Sequence, residues 1–402
     1  VTEEEFRKIT DPEILQAISK YKDEDPASLA LKLSKSRNWP ARAIVEQVSC
    51  REKARSKIAN WVSSGVLLDE TALQQASSEA TARYKKSLPE CNGQYAIDLT
   101  GGLGVDTAAL SENFNEFFYV DLNPVMCLIA RYNFDLLGHK SIKIKNGDGL
   151  QILADFPDRH FDLIYVDPSR RINGRRVTSL QNSVPDVPGN LDLLKSKASR
   201  ILLKLSPMMD ITDVIRLLPG VSYIDTISYD GECKEVLVMV DAVADNDTPV
   251  IRATQLNQEG KIQYQLQRPF NQLSQCEITP VKKYIYYPDA AFIKADLIDQ
   301  LGQELNISRI HLSVVFLTSD TPADTFPGKI FRTIQVIPAH TRDVRDYLKV
   351  LRLRKANIIT RGFPESPDLM YKRLKLKHGG NDYLLFTSAQ NDQYIMIHAA
   401  PV

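Results

Sequence analysis

A chain of 402 residues is too long for one ordinary domain and is expected to hold two to three. With 43% hydrophobic and 25% charged residues it has the make-up of a soluble globular protein; no apolar run approaches a membrane span, and the acidic N-terminal stretch is no signal peptide, which points to the cytoplasm. A formal net charge of +0 confines any nucleic-acid surface to a local patch, and five cysteines (Cys50, Cys91, Cys127, Cys233, Cys276) without paired spacing give neither a disulfide framework nor a metal site.

Residues 1 to about 90 read as helices, with apolar residues at three- and four-residue spacing over 3–19, 26–36, 41–62 and 78–87. Ser77 or Ser78 is placed to cap the last of these, and Glu79 is favourable near its positive end. Arg51, Lys53, Arg55 and Lys57 alternate in a pattern that reads as a solvated helix face, with an RNA contact as the less favoured meaning. A strand from Tyr95 to Leu99 then stops at Asp98 and opens into Thr100-Gly101-Gly102-Leu103-Gly104, followed by a helical pattern through Leu110.

Glycine is required where backbone approaches a ligand or takes dihedrals that other residues avoid. Three readings compete for this loop. A Walker-type phosphate cradle would end in Gly-Lys-Ser/Thr, whereas Gly104 precedes Val105-Asp106, so that reading drops out. A dinucleotide fingerprint wants a small residue where Thr107 stands, which weakens it. A site for S-adenosylmethionine has no phosphate to bind and wants an acid just before the glycines for the methionine amine, which is where Asp98 lies.

The next strand, 116–121, ends at Asp121, placed to accept from ribose hydroxyls, and a helix runs from Pro124 to Leu137. A third strand, 142–149, carries Asp148 at its end, which could take an adenine amino group; a fourth, 161–166, runs into Asp167-Pro168-Ser169-Arg170-Arg171. Polar strand ends on one edge make a site at the carboxyl edge of a parallel sheet. A fifth strand at 200–205, a helix at 211–218 and paired strands at 221–228 and 235–240 complete the pattern. After Asp241 to Pro249 the chain changes to strands rich in Gln and Thr, over 250–267, which marks a boundary. Tyr284 to Pro288 follows, then a helix over 290–301 and a strand over 310–317; its tyrosines read as a half-buried strand rather than a stacking platform. The remainder reads βαβαββ, at 330–337, 342–354, 356–361, 367–374, 382–387 and 393–398. Between 330 and 402 twelve basic residues, Lys372 and Arg373 among them, face six acidic ones. That excess suits a phosphate backbone and suits solvated helix faces equally.

Asp98-x-Thr100-x-Gly102-x-Gly104, then Asp121, Asp148 and Asp167-Pro168-Ser169-Arg170, in this order, resemble the motifs of the class I S-adenosylmethionine-dependent methyltransferases over about residues 75 to 242. With Ser77 to Lys85, Lys204 to Asp210 and Glu232-Cys233-Lys234-Glu235, the chain is similar more narrowly to a bacterial family that joins such a methyltransferase to C-terminal ferredoxin-like and THUMP-like modules. The resemblance implies an α/β fold, a doubly wound Rossmann-like core with a helical N-terminal extension and small α+β C-terminal domains, divided at 1–76, 77–245, 246–325 and 326–402. It implies S-adenosylmethionine held by Asp98, Thr100, Gly101, Gly102, Gly104, Asp106, Asp121, Leu122, Asp148 and Gly149, and catalysis by Asp167, Pro168, Ser169 and Arg170. THUMP modules elsewhere bind structured RNA, usually tRNA, so it further implies an RNA methyltransferase acting on tRNA or rRNA.

Methyl transfer from a sulfonium is an in-line displacement, so the protein aligns the acceptor lone pair and excludes water. The lone pair of a base amino group is delocalised into the ring; Asp167 and the Pro168 carbonyl could each accept one amino hydrogen and free it. Methyltransferases of exocyclic amines follow the acid with two prolines and an aromatic, so Ser169 and Arg170 depart from them and leave the target atom open. Asp-Pro-x-Arg is also similar to the fourth motif of uridine C5 methyltransferases. The place of their nucleophilic cysteine here reads Lys204-Leu205-Ser206-Pro207, with Cys233 on the later hairpin, so nitrogen methylation is favoured. Arg170, Arg171, Arg175 and Arg176 could clamp RNA phosphates, with Lys372 and Arg373 as further contacts, or form ion pairs with Asp186, Glu232 or Glu235 that shape the pocket. Ser206, Asp210 and Glu232 are second-tier candidates by the same resemblance. Two other readings stay open: a catalytically silent RNA-binding or assembly protein that keeps the fold as scaffold, and a methyltransferase of a protein or small molecule.

Overall fold

The computed structural model describes residues 2–34, 39–169, 171–172, 175–176, 180–243 and 248–402, with 171–172 and 175–176 placed by backbone alone. The chain divides into two compact units, one of residues 1–224, 235–249 and 256–262, the other of residues 225–234, 250–255 and 263–402.

The first unit opens with α1 (Glu3–Ile9), α2 (Pro12–Lys20), α3 (Pro26–Leu33), α4 (Ala41–Ala54), α5 (Ala59–Ser64), α6 (Glu70–Gln75) and α7 (Glu79–Ser87). Two helices expected to run unbroken, over 3–19 and 41–62, are each split. At the first break Asp11 accepts from the Glu13 N–H and Pro12 occupies the first turn, so a new helix begins there. The second is set by a distant residue: Glu79 Oε1 accepts from the N–H groups of Asn60 (2.8 Å) and Trp61 (3.1 Å), starting α5. Ser78 caps α7 by accepting from the Thr81 N–H. Of the four alternating basic residues in and after α4, Lys53 and Arg55 are exposed as a solvated face requires, whereas Arg51 and Lys57 turn onto backbone carbonyls. Arg51 is buried and donates to the Gly65 and Val66 carbonyls, Lys53 pairs with Glu70, Arg55 with Asp23, and Lys57 donates to the Leu73 carbonyl.

The alternating part of the unit runs β1 (Gly93–Asp98), α8 (Val105–Ser111), β2 (Phe114–Asp121), α9 (Pro124–Leu137), β3 (Ile142–Asn146), α10 (Gly149–Ala154), β4 (Phe161–Val166), α11 (Leu191–Lys197), β5 (Ala198–Leu205), α12 (Ile211–Leu217), β6 (Val221–Tyr229) and β7 (Glu232–Asp241), the last two with their hairpin end, 225–234, counted in the other unit. These strands run in the order β6-β7-β5-β4-β1-β2-β3 within a nine-stranded sheet whose two further strands, at 250–256 and 262–269, follow β6 at its edge. Strands β1 to β5 pair in parallel, which the helical crossovers make possible, and β7 runs antiparallel to β5 with Leu203 opposite Val238. Ile97, Phe117, Tyr119, Ile164 and Leu202 are buried, as strands covered on both faces require. Chain order reverses between β1 and β4, and a ligand crevice opens outside the carboxyl ends of strands at such a point.

The second unit carries β8 (Val250–Leu256), β9 (Ile262–Pro269), β10 (Tyr284–Pro288), α13 (Ala290–Lys294), α14 (Ile298–Leu305), β11 (Ser308–Arg309), β12 (Leu317–Ser319), β13 (Gly328–Pro338), α15 (Thr341–Val350), β14 (Lys355–Arg361), α16 (Pro367–Leu374), β15 (Lys377–Ser388) and β16 (Tyr394–Pro401). One sheet runs β11-β12-β10-β13-β16-β15-β14, and the last six elements keep the expected βαβαββ order. The helix expected over 290–301 is two, parted at Asp296, whose φ is +53°. The strand expected over 310–317 shrinks to β11 and β12 because the Arg309 guanidinium donates to the Leu312 and Val314 carbonyls, both at 2.8 Å, and curls the chain between them. Val344, Leu348, Met370 and Leu374 seat α15 and α16 on Leu384, Phe386 and Met396. No helix among the described residues is long and apolar enough to cross a membrane.

Candidate active site

The loop after β1 is shaped by its own side chains. Asp98 is buried; Oδ1 accepts from the Thr100 N–H (2.8 Å) and hydroxyl (3.1 Å), and Oδ2 from the Thr107 hydroxyl (2.6 Å). Thr107, which looks out of place for a small-residue position, is therefore the group that ties α8 to the end of β1. The Gly101 N–H donates to the Val120 carbonyl at 2.8 Å, and a Cβ at Gly101 would lie 2.3 Å from the Tyr119 ring. Gly104 has φ +85° and would drive a Cβ to 2.5 Å from the Phe134 ring, so only glycine lets the loop pass at both places. Asp98 thus serves the loop with both oxygens; it is not an open carboxylate.

Burial raises the Asp98 carboxyl from 3.8 to about 7, against the opposing effect of the threonine hydrogen bonds. A folded-state value above the unfolded one contributes stability that is present below pH 3.8 and lost as pH rises through about 7, roughly 4 kcal/mol at most. Asp98→Asn removes this titration. Its melting temperature relative to the parent, followed by calorimetry, is expected to climb from pH 5 and level off above about pH 7; a constant difference would rule the account out.

Asp121, at the end of β2, is half-buried; Oδ2 accepts from the Gly102 N–H (2.8 Å) and Oδ1 from the Asn123 N–H (2.7 Å). Burial raises its carboxyl above the ordinary range while these hydrogen bonds oppose the rise. Leu122, immediately after it, is 64% exposed. Asp148 caps α10, Oδ1 accepting from the N–H groups of Leu150 (2.9 Å) and Gln151 (3.0 Å). Gly149 comes so close to the glycine loop that a Cβ would lie 2.6 Å from the Leu99 carbonyl oxygen.

Thr100 joins the loop to the fourth strand, because its hydroxyl oxygen also accepts from the Asp167 N–H at 2.7 Å. Asp167 is half-buried, Pro168 buried and Ser169 exposed, its N–H donating to the Val184 carbonyl at 2.7 Å. Asp167 Oδ2 lies 2.5 Å from Lys204 Nζ. Lys204 belongs to a buried cluster that brings together three of the stretches carrying the narrower resemblance, 77–85, 204–210 and 232–235. Its ammonium is 3.4 Å from Asp106 Oδ2 and 3.1 Å from Ser77 Oγ, while Lys85 Nζ is 3.1 Å from Asp106 Oδ1 and 2.6 Å from Glu235 Oε1. Ser77 (2.7 Å) and Tyr165 (2.6 Å) donate hydroxyls to Asp106 Oδ2. Burial opposes the charge on Asp106 and on Lys204, but the opposite charges prevail: Asp106 is held well below the usual carboxylate range and Lys204 above the usual ammonium range.

Asp106, expected among the cofactor contacts, is instead committed to this cluster. Arg170 lies outside the described residues; the backbones of Arg171 and Arg176 pair across a two-residue antiparallel ladder, with Ile172 opposite Arg175. The acids expected to pair with these arginines have other partners, Lys85 for Glu235, Lys234 for Glu232 and the Gly189 N–H for Asp186. Ser206 Oγ accepts from the Met208 N–H, and Asp210 caps α12. On α16 Lys372 is exposed, while Arg373 pairs with Glu365 at 2.5 Å. No group of three or more metal-ligating side chains occurs among the described residues.

The donor set fits a sulfonium nucleoside. Half-buried acids at the ends of β2 and β4 flank glycine backbone, an exposed leucine lies beside the first, and at Gly102 a Cβ would meet only the Thr100 carbonyl oxygen, at 3.7 Å, so the outer side of the turn is open to a ligand.

Residues 328–401 match a family model described as THUMP domain-like. Two relatives from Mycobacterium tuberculosis, strains CDC 1551 and H37Rv, each described as an uncharacterized S-adenosylmethionine-dependent methyltransferase, are 27% identical over 340 residues, 83% of this chain and 89% of theirs. The crystal structure of a candidate methyltransferase from Porphyromonas gingivalis W83 superposes with a TM-score of 0.82 at 27% identity, covering 100% of this chain and 99% of that one. Strand order, glycine loop and relatives together make this chain a class I S-adenosylmethionine-dependent methyltransferase with a THUMP-like module at its C-terminus.

Proposed function

We propose that the enzyme methylates a nucleobase nitrogen in structured RNA, tRNA or rRNA. The observation that carries the chemistry is the Asp167-Pro168 turn, fastened to the glycine loop through Thr100 at 2.7 Å and to Lys204 at 2.5 Å. In this reading Asp121 accepts from the ribose hydroxyls, Leu122 packs on the adenine, Asp148 accepts from its amino group through the oxygen not used on α10, and Thr100 to Gly104 line the methionyl part. When bound there, S-adenosylmethionine supplies an electrophilic methyl group. Asp167 and the Pro168 carbonyl hold the two hydrogens of the target amine, which turns its lone pair out of conjugation and toward the methyl carbon. As the N–C bond forms and the S–C bond breaks, positive charge develops on the nitrogen; Asp167 stabilises it until a proton leaves to solvent.

The C-terminal module supports the RNA part. Arg342, Arg345, Arg352, Lys355, Lys372 and Lys375 are all exposed, and α15 and α16 are held side by side by the Arg345 guanidinium on the Arg373 carbonyl at 2.7 Å. A local excess of exposed cations is what a phosphate backbone requires when the whole chain is neutral. Replacing Arg352, Lys372 and Lys375 together by Glu is expected to weaken RNA binding and to reduce the slope of log affinity against log salt by about 2, with calorimetric affinity for S-adenosylmethionine unchanged. An unaltered salt slope would count against this face.

The deciding experiment compares nucleosides of tRNA and rRNA, by mass spectrometry, from cells with and without the protein. One methylated base should disappear without it; identical nucleoside pools would overturn the RNA reading. Calorimetry separates the silent scaffold, which would not bind S-adenosylmethionine.

A further inference from the structure

We propose that Lys204 is a positioning residue for methyl transfer, holding the Asp167 carboxylate in the orientation that meets the substrate amine; the proposal rests on the reading of Asp167 as the amine's acceptor. An ammonium has three N–H donors. Those of Lys204 reach Asp167 Oδ2 (2.5 Å), Ser77 Oγ (3.1 Å) and Asp106 Oδ2 (3.4 Å). The far side of this arrangement is itself anchored, because Asp106 also takes the hydroxyls of Ser77 and Tyr165 and the Lys85 ammonium, which in turn pairs with Glu235.

The exposures run in one direction. The Lys85 side chain is 0% exposed, Lys204 10% and Asp167 34%, so a chain of fixed charges leads from the interior to the half-buried carboxylate after β4. Burying an ammonium carries a desolvation penalty of several kcal/mol unless its partners are well placed. A carboxylate with Oδ2 pinned on Lys204 cannot rotate freely and keeps Oδ1 for the substrate. That is the arrangement an amine N–H needs if its lone pair is to be aimed, since small misplacements cost about 100-fold in rate. Neither the S-adenosylmethionine contacts nor the RNA surface involves Lys204.

The test uses the full-length enzyme, labelled S-adenosylmethionine, and total RNA, tRNA and rRNA together, from cells lacking the gene as acceptor. K204M is expected to lower kcat about 100-fold, with KM for the RNA and the calorimetric Kd for S-adenosylmethionine within about twofold of the parent. K204M/D167N should be no slower than D167N, because both changes remove one interaction. If K204M does not fold, K204M/D106N removes the stranded carboxylate together with the cation and is expected to show the same loss in kcat. Parental kcat in K204M or K204M/D106N beside an impaired D167N, or losses that multiply in K204M/D167N, would overturn the role given to Lys204 alone. Parental activity in D167N would overturn the acceptor assignment and with it this proposal.

Discussion

Asp167→Asn is expected to lower the single-turnover rate of methyl transfer by about 10²- to 10³-fold while leaving S-adenosylmethionine binding within about twofold. The size follows from the neighbour. Lys204 Nζ lies 2.5 Å from Oδ2 and offers only donors, so the amide that replaces the carboxylate must turn its oxygen toward the ammonium. Its NH2 group then points at the substrate amine, donor against donor, and the negative charge that offsets the developing cation on nitrogen is gone. Asp167→Ala removes the acceptor without adding the mismatched donor and should lose somewhat less. Rapid-quench measurement on the RNA acceptor separates these outcomes, and D167N retaining more than a tenth of the parental rate would sink the assignment.

The site was legible where its parts are local in the chain. An apolar strand ending in an acid is a short-range pattern: Asp98 and Asp121 close β1 and β2 and Asp167 follows β4 directly, while Asp148 stands two residues past β3 as the cap of α10. Even the residue that seemed a departure, Thr107, makes local sense once its hydroxyl is seen to bond Asp98, nine residues earlier. The contacts of the buried cluster were not legible, because Ser77 and Lys85, Asp106, Tyr165, Lys204 and Glu235 come from five separate stretches. A physical signal was Lys204 itself, a charged residue inside the apolar run Ile201-Leu202-Leu203-Lys204-Leu205, where an unpaired ammonium could not be buried. Helix boundaries fared according to the same division. The break at Asp11-Pro12 is written in two adjacent residues, whereas the start of α5 depends on Glu79, nineteen positions away from Asn60.

The second large effect is expected on the cofactor side, at Asp121. Its carboxylate does two things at once: Oδ2 fixes the Gly102 N–H at 2.8 Å and Oδ1 fixes the Asn123 N–H at 2.7 Å, so it sets both the glycine turn and the entry to α9. In the proposed complex it also takes the ribose hydroxyls, and hydrogen bonds to a charged group contribute about 1.5–3 kcal/mol each. Asp121→Ala removes the ligand's acceptor and frees two backbone donors that water must then satisfy, which together should weaken S-adenosylmethionine about 100-fold or more by calorimetry. Asp121→Asn keeps one acceptor oxygen, enough for one of the two backbone bonds and not for the rest, and should fall between Ala and the parent. Because Lys204 and Asp167 are untouched, the rate at saturating S-adenosylmethionine should recover to near the parental value in D121N. A variant that binds normally but transfers slowly would instead place Asp121 in the chemistry, and parental affinity in Asp121→Ala would remove the ribose from this edge of the sheet.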